Sequence, residues 1–190
     1  MTLFLGLTIV VWGFFFLFWI ISAFQNRQDT QRTESLPSRA VNIILYGVAA
    51  ALLLFEWKCV AALSARVAPD GYGIPLTGWV LQTAGLGFAL WARKHLGKNW
   101  NAQVALAKDH HLIQSGPYQV VRHPMYLGIL AGMFGTAIVI GQVRGLLAAV
   151  AVLIALIWKI RGEEEILRGH FGERYHQYSK EVKSIIPFLF

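Results

Sequence analysis

Charged residues are scarce in this chain, although a soluble domain would need them to cover its surface. Asp, Glu, Lys and Arg make up only 14% of the 190 residues, whereas 56% are hydrophobic. This balance excludes an ordinary soluble domain and indicates a membrane protein. A single cysteine, Cys59, excludes an intrachain disulfide. Because it lies in an apolar segment, we interpret it as a small buried side chain.

Several common catalytic signatures are also missing. The chain has no GxGxxG after a strand, no P-loop and no GxSxG. His110, His111 and His123 do not have the spacing of a known zinc set, and no cysteine lies near them. We therefore predict no metal site.

What the chain does contain is a series of long apolar runs. Residues 3–24 can cross a bilayer, and they lack the basic start and cleavage site of a signal peptide, so we interpret them as a retained span. The second run can continue to Leu63 if Glu56 and Lys58 lie near the membrane interface. The last three runs are shorter than a standard span, so we expect their flanking residues to extend those helices. The predicted fold is an all-α, polytopic integral membrane bundle of about five transmembrane helices, built on residues 3–24, 41–55, 79–92, 127–140 and 146–158.

The basic residues predict the orientation of this bundle. With five spans, residues 25–39, residues 93–122 and the C-terminal tail share one side, and most of the 17 Lys and Arg lie there. Arg66 and Arg144 lie on the other side. The positive-inside rule then places the N-terminus outside and the C-terminus in the cytoplasm, in the inner membrane. The net charge of +7 is thus explained by membrane topology, and we expect no nucleic-acid partner.

The C-terminal tail has a different pattern from the spans. Leu167, Phe171, Tyr175 and Tyr178 recur at helical spacing and therefore share one face. This predicts an amphipathic helix on the inner surface, against the loop before the fourth span. Gly172 is a candidate break in that helix.

Residues 109–128, DHHLIQSGPYQVVRHPMYLG, concentrate the polar and ring-bearing side chains of the chain. Pro124 suits the first turn of a helix, so Arg122 and His123 lie at a helix N-terminus, where an anion binds well.

Three consecutive glutamates, Glu163, Glu164 and Glu165, follow the fifth span on the same side. Because a short hairpin joins spans four and five, Arg122, His123 and Tyr126 are expected to lie near the first two glutamates. A helix N-terminus together with carboxylates can hold a zwitterion. The alternative is that the triplet is solvated charge at the membrane boundary.

A resemblance to a known family follows from these motifs. Asn99–Trp100, HLIQSGPYQVVRHPMYLG at residues 111–128, EEE at residues 163–165, FGERYHQY at residues 171–178 and Ile186–Pro187 together resemble the isoprenylcysteine carboxyl methyltransferase family. That family belongs to a wider group with the phospholipid N-methyltransferases. The resemblance covers residues 95–187, and it rests on RHPxY combined with the downstream glutamates and FGxxYxxY.

The resemblance implies a helical membrane enzyme that uses S-adenosylmethionine at a cytoplasmic site. Residues 1–92 would carry the first three spans and residues 93–190 the catalytic region. It implies catalytic roles for Arg122, Glu163 and Glu164, and substrate contact by Arg161. The cofactor contacts that it implies are His110, His111, Leu112, Ile113, Tyr118, His123, Pro124, Met125, Tyr126 and Glu163 or Glu164.

The residues themselves agree with that cofactor. The helix N-terminus suits its carboxylate, Glu163 or Glu164 suits its ammonium, and Leu112, Ile113 and Tyr118 suit its adenine.

The methyl acceptor stays open at this point. It is expected to be embedded in lipid, as a prenylcysteine-like carboxylate or as a phenolic or amino lipid, and no obligate protein partner is inferred. Gly128, Gly132 and Gly135 fall on one side of span four, which predicts sideways entry of the acceptor from the bilayer; the alternative is close helix packing.

Two other functions remain for the whole protein, namely an NADPH-dependent, sterol-reductase-like membrane enzyme and a non-enzymatic membrane scaffold.

Overall fold

The computed structural model describes residues 2–25, 30–33, 36–55, 57, 60–69, 71–97, 105–107 and 112–185. Several residues that the sequence singled out lie outside this part of the chain, namely His110, His111, Glu56, Lys58, Cys59, Asn99, Trp100, Ile186 and Pro187.

Long helices dominate the described residues. They are α1 (Thr2–Gln25), α2 (Leu36–Leu54), α4 (Gly73–Leu96), α5 (Pro124–Ile140) and α6 (Val143–Phe171). Two shorter helices, α3 (Ala61–Ser64) and α7 (Glu173–Glu181), and a 3₁₀ turn at Gly116–Gln119 connect or follow them. Two short strands, β1 (Thr30–Thr33) and β2 (Ala105–Ala107), pair antiparallel, an element that the all-α prediction lacked.

Two of the helices are long and apolar enough to cross a membrane, Leu3–Phe24 and Val143–Phe171. Arg39–Leu54 and Pro124–Ile140 form shorter apolar helices. Helices α4 and α6 extend well beyond their apolar runs, to 24 and 29 residues, as expected for runs completed by their flanks. The count of five spans itself stays a prediction.

The centre of the bundle is a direct contact between the backbones of α4 and α5. A Cβ added at Gly128 would lie 2.5 Å from the carbonyl oxygen of Gly85, and one added at Gly135 would lie 2.5 Å from that of Gly78. At Gly132 it would meet the Leu86 side chain at 2.8 Å. Gly128, Gly132 and Gly135 are therefore a packing surface. The interpretation of this stripe as a route for the acceptor is wrong.

The other long helices pack on this pair directly or through α6. Helix α6 packs on α5, α2 packs on α6, and α1 packs on both α4 and α5. The largest apolar cluster joins Tyr126, Leu130 and Met133 of α5 to Leu156 and Ile160 of α6. On α6, this buried face continues one turn later to Glu164, which is also buried. The apolar core thus ends at a carboxylate.

Helix α1 is attached to the bundle by polar contacts inside an apolar setting. Thr8 Oγ1 donates to Gln82 Oε1 at 2.9 Å, and Gln82 Nε2 donates back to the Thr8 carbonyl at 3.1 Å. Trp12 Nε1 donates to Thr136 Oγ1 at 2.9 Å. The opposite face of α1 exposes large apolar side chains such as Phe14, which suits contact with lipid.

The segments that join the helices form two groups, one at each end of the bundle, because the members of each group are in contact. Strands β1 and β2 bring the connection after α1 beside the one after α4. At a second place, Val67 N–H donates to Gly141 O and Val143 N–H to Ala65 O, each at 3.0 Å, so the α2–α4 connection meets the α5–α6 hairpin. Arg144 strengthens this end by donating to the carbonyl oxygen of Phe55 at 2.9 Å. The predicted topology requires this grouping, with the connections after α1 and α4 on one side and the α2–α4 connection and the α5–α6 hairpin on the other.

The α4–α5 contact yields a first prediction. Gly85→Ala should destabilise the protein by about 1–3 kcal/mol, because its Cβ would lie 2.7 Å from Ala131 and 2.8 Å from the Gly128 carbonyl. The matched control is Gly87→Ala on the same helix, where nothing lies within 4 Å. There the loss of backbone freedom in the unfolded chain should stabilise by up to about 1 kcal/mol. Thermal unfolding in detergent measures both variants, and equal midpoints would contradict the packing.

Candidate functional site

The helix start predicted at the RHP sequence is present. Pro124 is the first residue of α5, and His123 precedes it with non-helical backbone angles of φ −123° and ψ 60°. The His123 carbonyl accepts the first bond of the helix, from Leu127 N–H at 3.1 Å. The sequence folds this way because proline disfavours helical angles in the preceding residue and fits the first helical turn itself.

The C-terminal tail returns to this helix start. Gly172, at a φ of +53°, ends α6 and begins α7, so the predicted break is confirmed. Beyond α7, the backbone N–H groups of Arg122 and His123 donate to the carbonyls of Lys183 at 2.8 Å and Ser184 at 3.0 Å. Tyr178 OH donates to the Tyr118 carbonyl at 2.6 Å. The tail therefore packs against the loop before α5, as its apolar face predicted.

The buried carboxylate of Glu164 connects these segments. Arg122 donates to its Oε1 from Nε at 3.0 Å and also from Nη2. Arg168 donates to its Oε2 at 2.8 Å, and Ser184 Oγ donates to Oε1 at 3.4 Å. Arg122 also donates from Nη1 to the carbonyls of Ser179, at 3.1 Å, and Val182. Glu164 and Arg122 thus join α5, α6 and the tail through charge-assisted bonds.

Glu163 has a different environment. Tyr126 OH donates to its Oε1, and His123 Nδ1 lies 3.5 Å from its Oε2. Its side chain is 23% exposed, whereas that of Glu164 is 11% exposed and surrounded by donors. One turn earlier on α6, Lys159 Nζ lies 5.7 Å from the centroid of the Tyr126 ring. The side chain of Glu163 is therefore the more exposed of the two.

His123 lies between the two glutamates. Its Nε2 is 3.3 Å from Glu164 Oε1, and its ring stacks on that of Tyr126 at 5.7 Å and 13°. Burial by itself lowers the pKa of His123, but the bonds to Glu163 and Glu164 outweigh it and raise that pKa above the ordinary value. The imidazolium form, in which both ring nitrogens donate, fits this position.

Tyr118 lies in the 3₁₀ turn beside this cluster. Its side chain is buried, and its OH lies 3.5 Å from the Ala92 carbonyl at the end of α4. Burial raises the pKa of Tyr118, and the charge of Glu163 raises it further. Burial likewise raises the pKa of Tyr178. Both phenols are therefore neutral donors at physiological pH.

The structure brings together most of the predicted residues that it describes. Arg122, His123, Tyr126, Glu163 and Glu164 form one connected cluster. Pro124 is buried at the helix start, whereas Met125, Leu112 and Ile113 are half-buried. Whether any of them contacts a cofactor stays a prediction. The predicted absence of a metal also stays untested, because His110 and His111 lie outside the described residues.

Arg161 lies beside the connected cluster. It is exposed on α6 and lines an open pocket with Glu164, Glu165 and Arg168.

Sequence reasoning missed several members of the site. Arg168 could have been found, since it follows Glu164 by four residues and helical pairs of that spacing interact. Ser179 and Ser184 had no signal, because they reach the site only when the tail folds back. Lys159 was not singled out, because in the sequence it is one of several basic residues at the predicted membrane boundary.

The chain matches a known family over slightly more than half of its length. The phospholipid methyltransferase family model matches residues 74–174. The protein-S-isoprenylcysteine O-methyltransferase of Schizosaccharomyces pombe is 35% identical in an alignment of 120 residues that covers 58% of this chain and 51% of that protein. A probable protein-S-isoprenylcysteine O-methyltransferase of Oryza sativa subsp. japonica is 27% identical over 173 residues, covering 90% of this chain and 87% of that one.

A solved structure has a similar fold. The eukaryotic intramembrane Ras methyltransferase ICMT (isoprenylcysteine carboxyl methyltransferase), solved without a monobody, gives a TM-score of 0.57 at 22% identity. The likeness covers 82% of this chain and 54% of that chain, and at this identity it concerns the fold alone. The chain spans about half the length of the fission yeast relative and of this structure. The resemblance seen in the motifs is confirmed. Because the family match extends over more than half of the chain, the protein belongs to the phospholipid methyltransferase family.

Proposed function

We propose that this protein is a membrane methyltransferase that uses S-adenosylmethionine to methylate a lipid-embedded acceptor. The observation that carries the proposal is the partly exposed side chain of Glu163 beside His123 at the start of α5. It places an anionic side chain next to a helix N-terminus, within a family of methyltransferases. The relatives reported above are methyltransferases by name, so they do not favour a sterol-reductase-like enzyme or a scaffold.

The donor set fits the cofactor. The positive end of the α5 dipole suits its carboxylate. Glu163 suits its ammonium, and Tyr118 with the half-buried Leu112 and Ile113 suits its adenine. When bound, the cofactor supplies an activated methyl group. The protein then has to position the two reactants in line and exclude water.

The two glutamates take different roles in this proposal. Glu164 is already bonded to Arg122, Arg168 and Ser184. We therefore assign Arg122 and Glu164 the task of holding the α5 start and the tail in place. Glu163 is the carboxylate that contacts the cofactor, and Tyr126 orients it through its hydroxyl group.

The acceptor class is supported by charge as well as by the names of the relatives. Lys159 lies beside Tyr126 and one turn of α6 before Glu163, toward the middle of that helix. A cation there favours a carboxylate acceptor, such as that of a prenylated cysteine, over an amine that would become more positive on methylation. A carboxylate also needs no general base, since it has no proton to lose before it attacks.

The proposed placement is multi-pass, with the N-terminus outside and the C-terminus, the site and the tail in the cytoplasm. The concentration of Lys and Arg at the end of the bundle that carries the site supports this orientation.

The division between the glutamates can be tested with three near-isosteric variants. Glu163→Gln should weaken binding of S-adenosylmethionine about tenfold or more, because a charge-assisted bond to the ammonium is lost. It should change the unfolding temperature little. Glu164→Gln should instead lower the unfolding temperature, since the buried guanidinium of Arg122 loses its partner. Glu165→Gln is the control, because that side chain is exposed.

Calorimetric titration and thermal unfolding of the same three samples separate these effects. Unchanged affinity in Glu163→Gln would remove that residue from the cofactor site.

The imidazolium of His123 predicts a pH dependence of stability. Because the folded pKa lies above the ordinary value of about 6.5, the bonds to Glu163 and Glu164 stabilise fully below that value. The stabilisation is lost as the pH rises through the folded pKa. The difference in unfolding temperature between the wild type and His123→Gln should therefore shrink as the pH rises from the ordinary pKa through the raised, folded pKa. A constant difference across this window would mean that His123 is not charged.

The orientation can be tested with Thr30→Cys and Gln142→Cys in a Cys59→Ala background. The first position lies in the connection after α1 and the second in the α5–α6 hairpin. A membrane-impermeant maleimide should label position 142 from outside and position 30 only from the cytoplasmic side. Labelling of both from one side would contradict the proposed topology.

A further inference from the structure

One imidazole at the end of α4 contacts the turn that contains Tyr118. His95 lies in the last turn of α4, and its Nε2 is 2.8 Å from Ser115 Oγ. Its ring is nearly parallel to that of Tyr118, at 25° and 6.4 Å between centroids. A Cβ added at Gly116 would lie 2.7 Å from His95 Cε1. A single ring thus meets the side chain of Ser115, the backbone of Gly116 and the ring of Tyr118.

Gly116 explains why the turn can approach the ring so closely. Its φ of +60° lies in the left-handed region that favours glycine, and its missing side chain leaves room for the imidazole. Two independent requirements therefore meet at this residue, one from the backbone angle and one from the space beside His95.

The position of Tyr118 is determined from two sides. On the tail side, Tyr178 OH donates to its carbonyl at 2.6 Å. On the α4 side, its OH lies 3.5 Å from the Ala92 carbonyl, a weak contact, and His95 supplies the shorter bond to the same turn. His95 itself is exposed, so it is not there to fill the apolar core.

We propose that His95 is a positioning residue that holds the Gly116–Gln119 turn, through Ser115 and the Tyr118 ring, in the orientation that binds the cofactor. This inference rests on the proposed function, because Tyr118 matters only if it contacts S-adenosylmethionine. His95 touches the turn and not the reacting atoms. The contact does not depend on one protonation state: Ser115 can donate to an unprotonated Nε2, and a protonated Nε2 can donate to Ser115.

The test measures binding of S-adenosylmethionine by titration calorimetry in the purified full chain. His95→Ala should weaken binding about fivefold to tenfold, the range expected for the loss of one hydrogen bond that orders a binding turn. Ser115→Ala should cause a similar loss, and the double variant should lose little more than either single one, since both remove the same contact. His95→Gln should restore much of the affinity, because its amide can reach Ser115.

The matched control is Lys94→Ala, a neighbouring exposed residue of the same turn of α4, which should bind like the wild type. In a labelled-methyl assay with a prenylated cysteine as acceptor, His95→Ala should raise the KM for S-adenosylmethionine while leaving the KM for that acceptor unchanged. A purely structural role would instead lower the unfolding temperature without this separation.

The outcomes distinguish this inference from the proposed function. If the wild type binds S-adenosylmethionine and His95→Ala binds equally well, the positioning role is overturned and the function stands. Loss of affinity in His95→Ala that Ser115→Ala does not share and His95→Gln does not rescue also overturns it. If the wild type itself does not bind S-adenosylmethionine, the proposed function fails, and the role of His95 fails with it.

Discussion

The buried ion pair between Glu164 and Arg122 is the contact on which the arrangement of the site depends. It joins α6 to the start of α5, and the same guanidinium also bonds to carbonyls at the end of α7. Removing either partner would leave the other charge buried without compensation, a change that typically destabilises strongly. The pair therefore acts as a structural joint, which keeps His123 and Tyr126 next to α6 and the tail folded over the loop.

A rotation of about 100° per residue gives the three consecutive glutamates three environments. Glu164 continues the buried face of Leu156 and Ile160, so its carboxylate has to be paired. Glu163 turns toward Tyr126 and remains partly accessible, and Glu165 is exposed. The same side-chain chemistry thus gives a buried ion pair, a partly exposed carboxylic side chain or a solvated charge, depending on its position around the helix.

The glycines of the α4–α5 contact show a second constraint, which follows from the proposed placement of these helices in the bilayer. Helices in lipid gain little from burying apolar surface, so close packing and hydrogen bonds have to hold them together. Gly85 and Gly128 bring the two backbones into contact, and a hydrogen bond joins Gln82 of α4 to Thr8 of α1. A stripe of small residues has this simple explanation, and its periodicity in the sequence could not distinguish it from a path for a ligand.

The sequence by itself determined the helical class, the start of α5 at Pro124, the break at Gly172 and the approach of Arg122 to the glutamates. These follow from local backbone preferences, from hydrophobic period and from the chain reversal between two adjacent spans. Only the tertiary structure decided which glutamate is buried and that Ser184 and His95 reach the site. Those answers depend on the rotation of α6 about its axis and on contacts between segments far apart in the chain, and no local pattern encodes either.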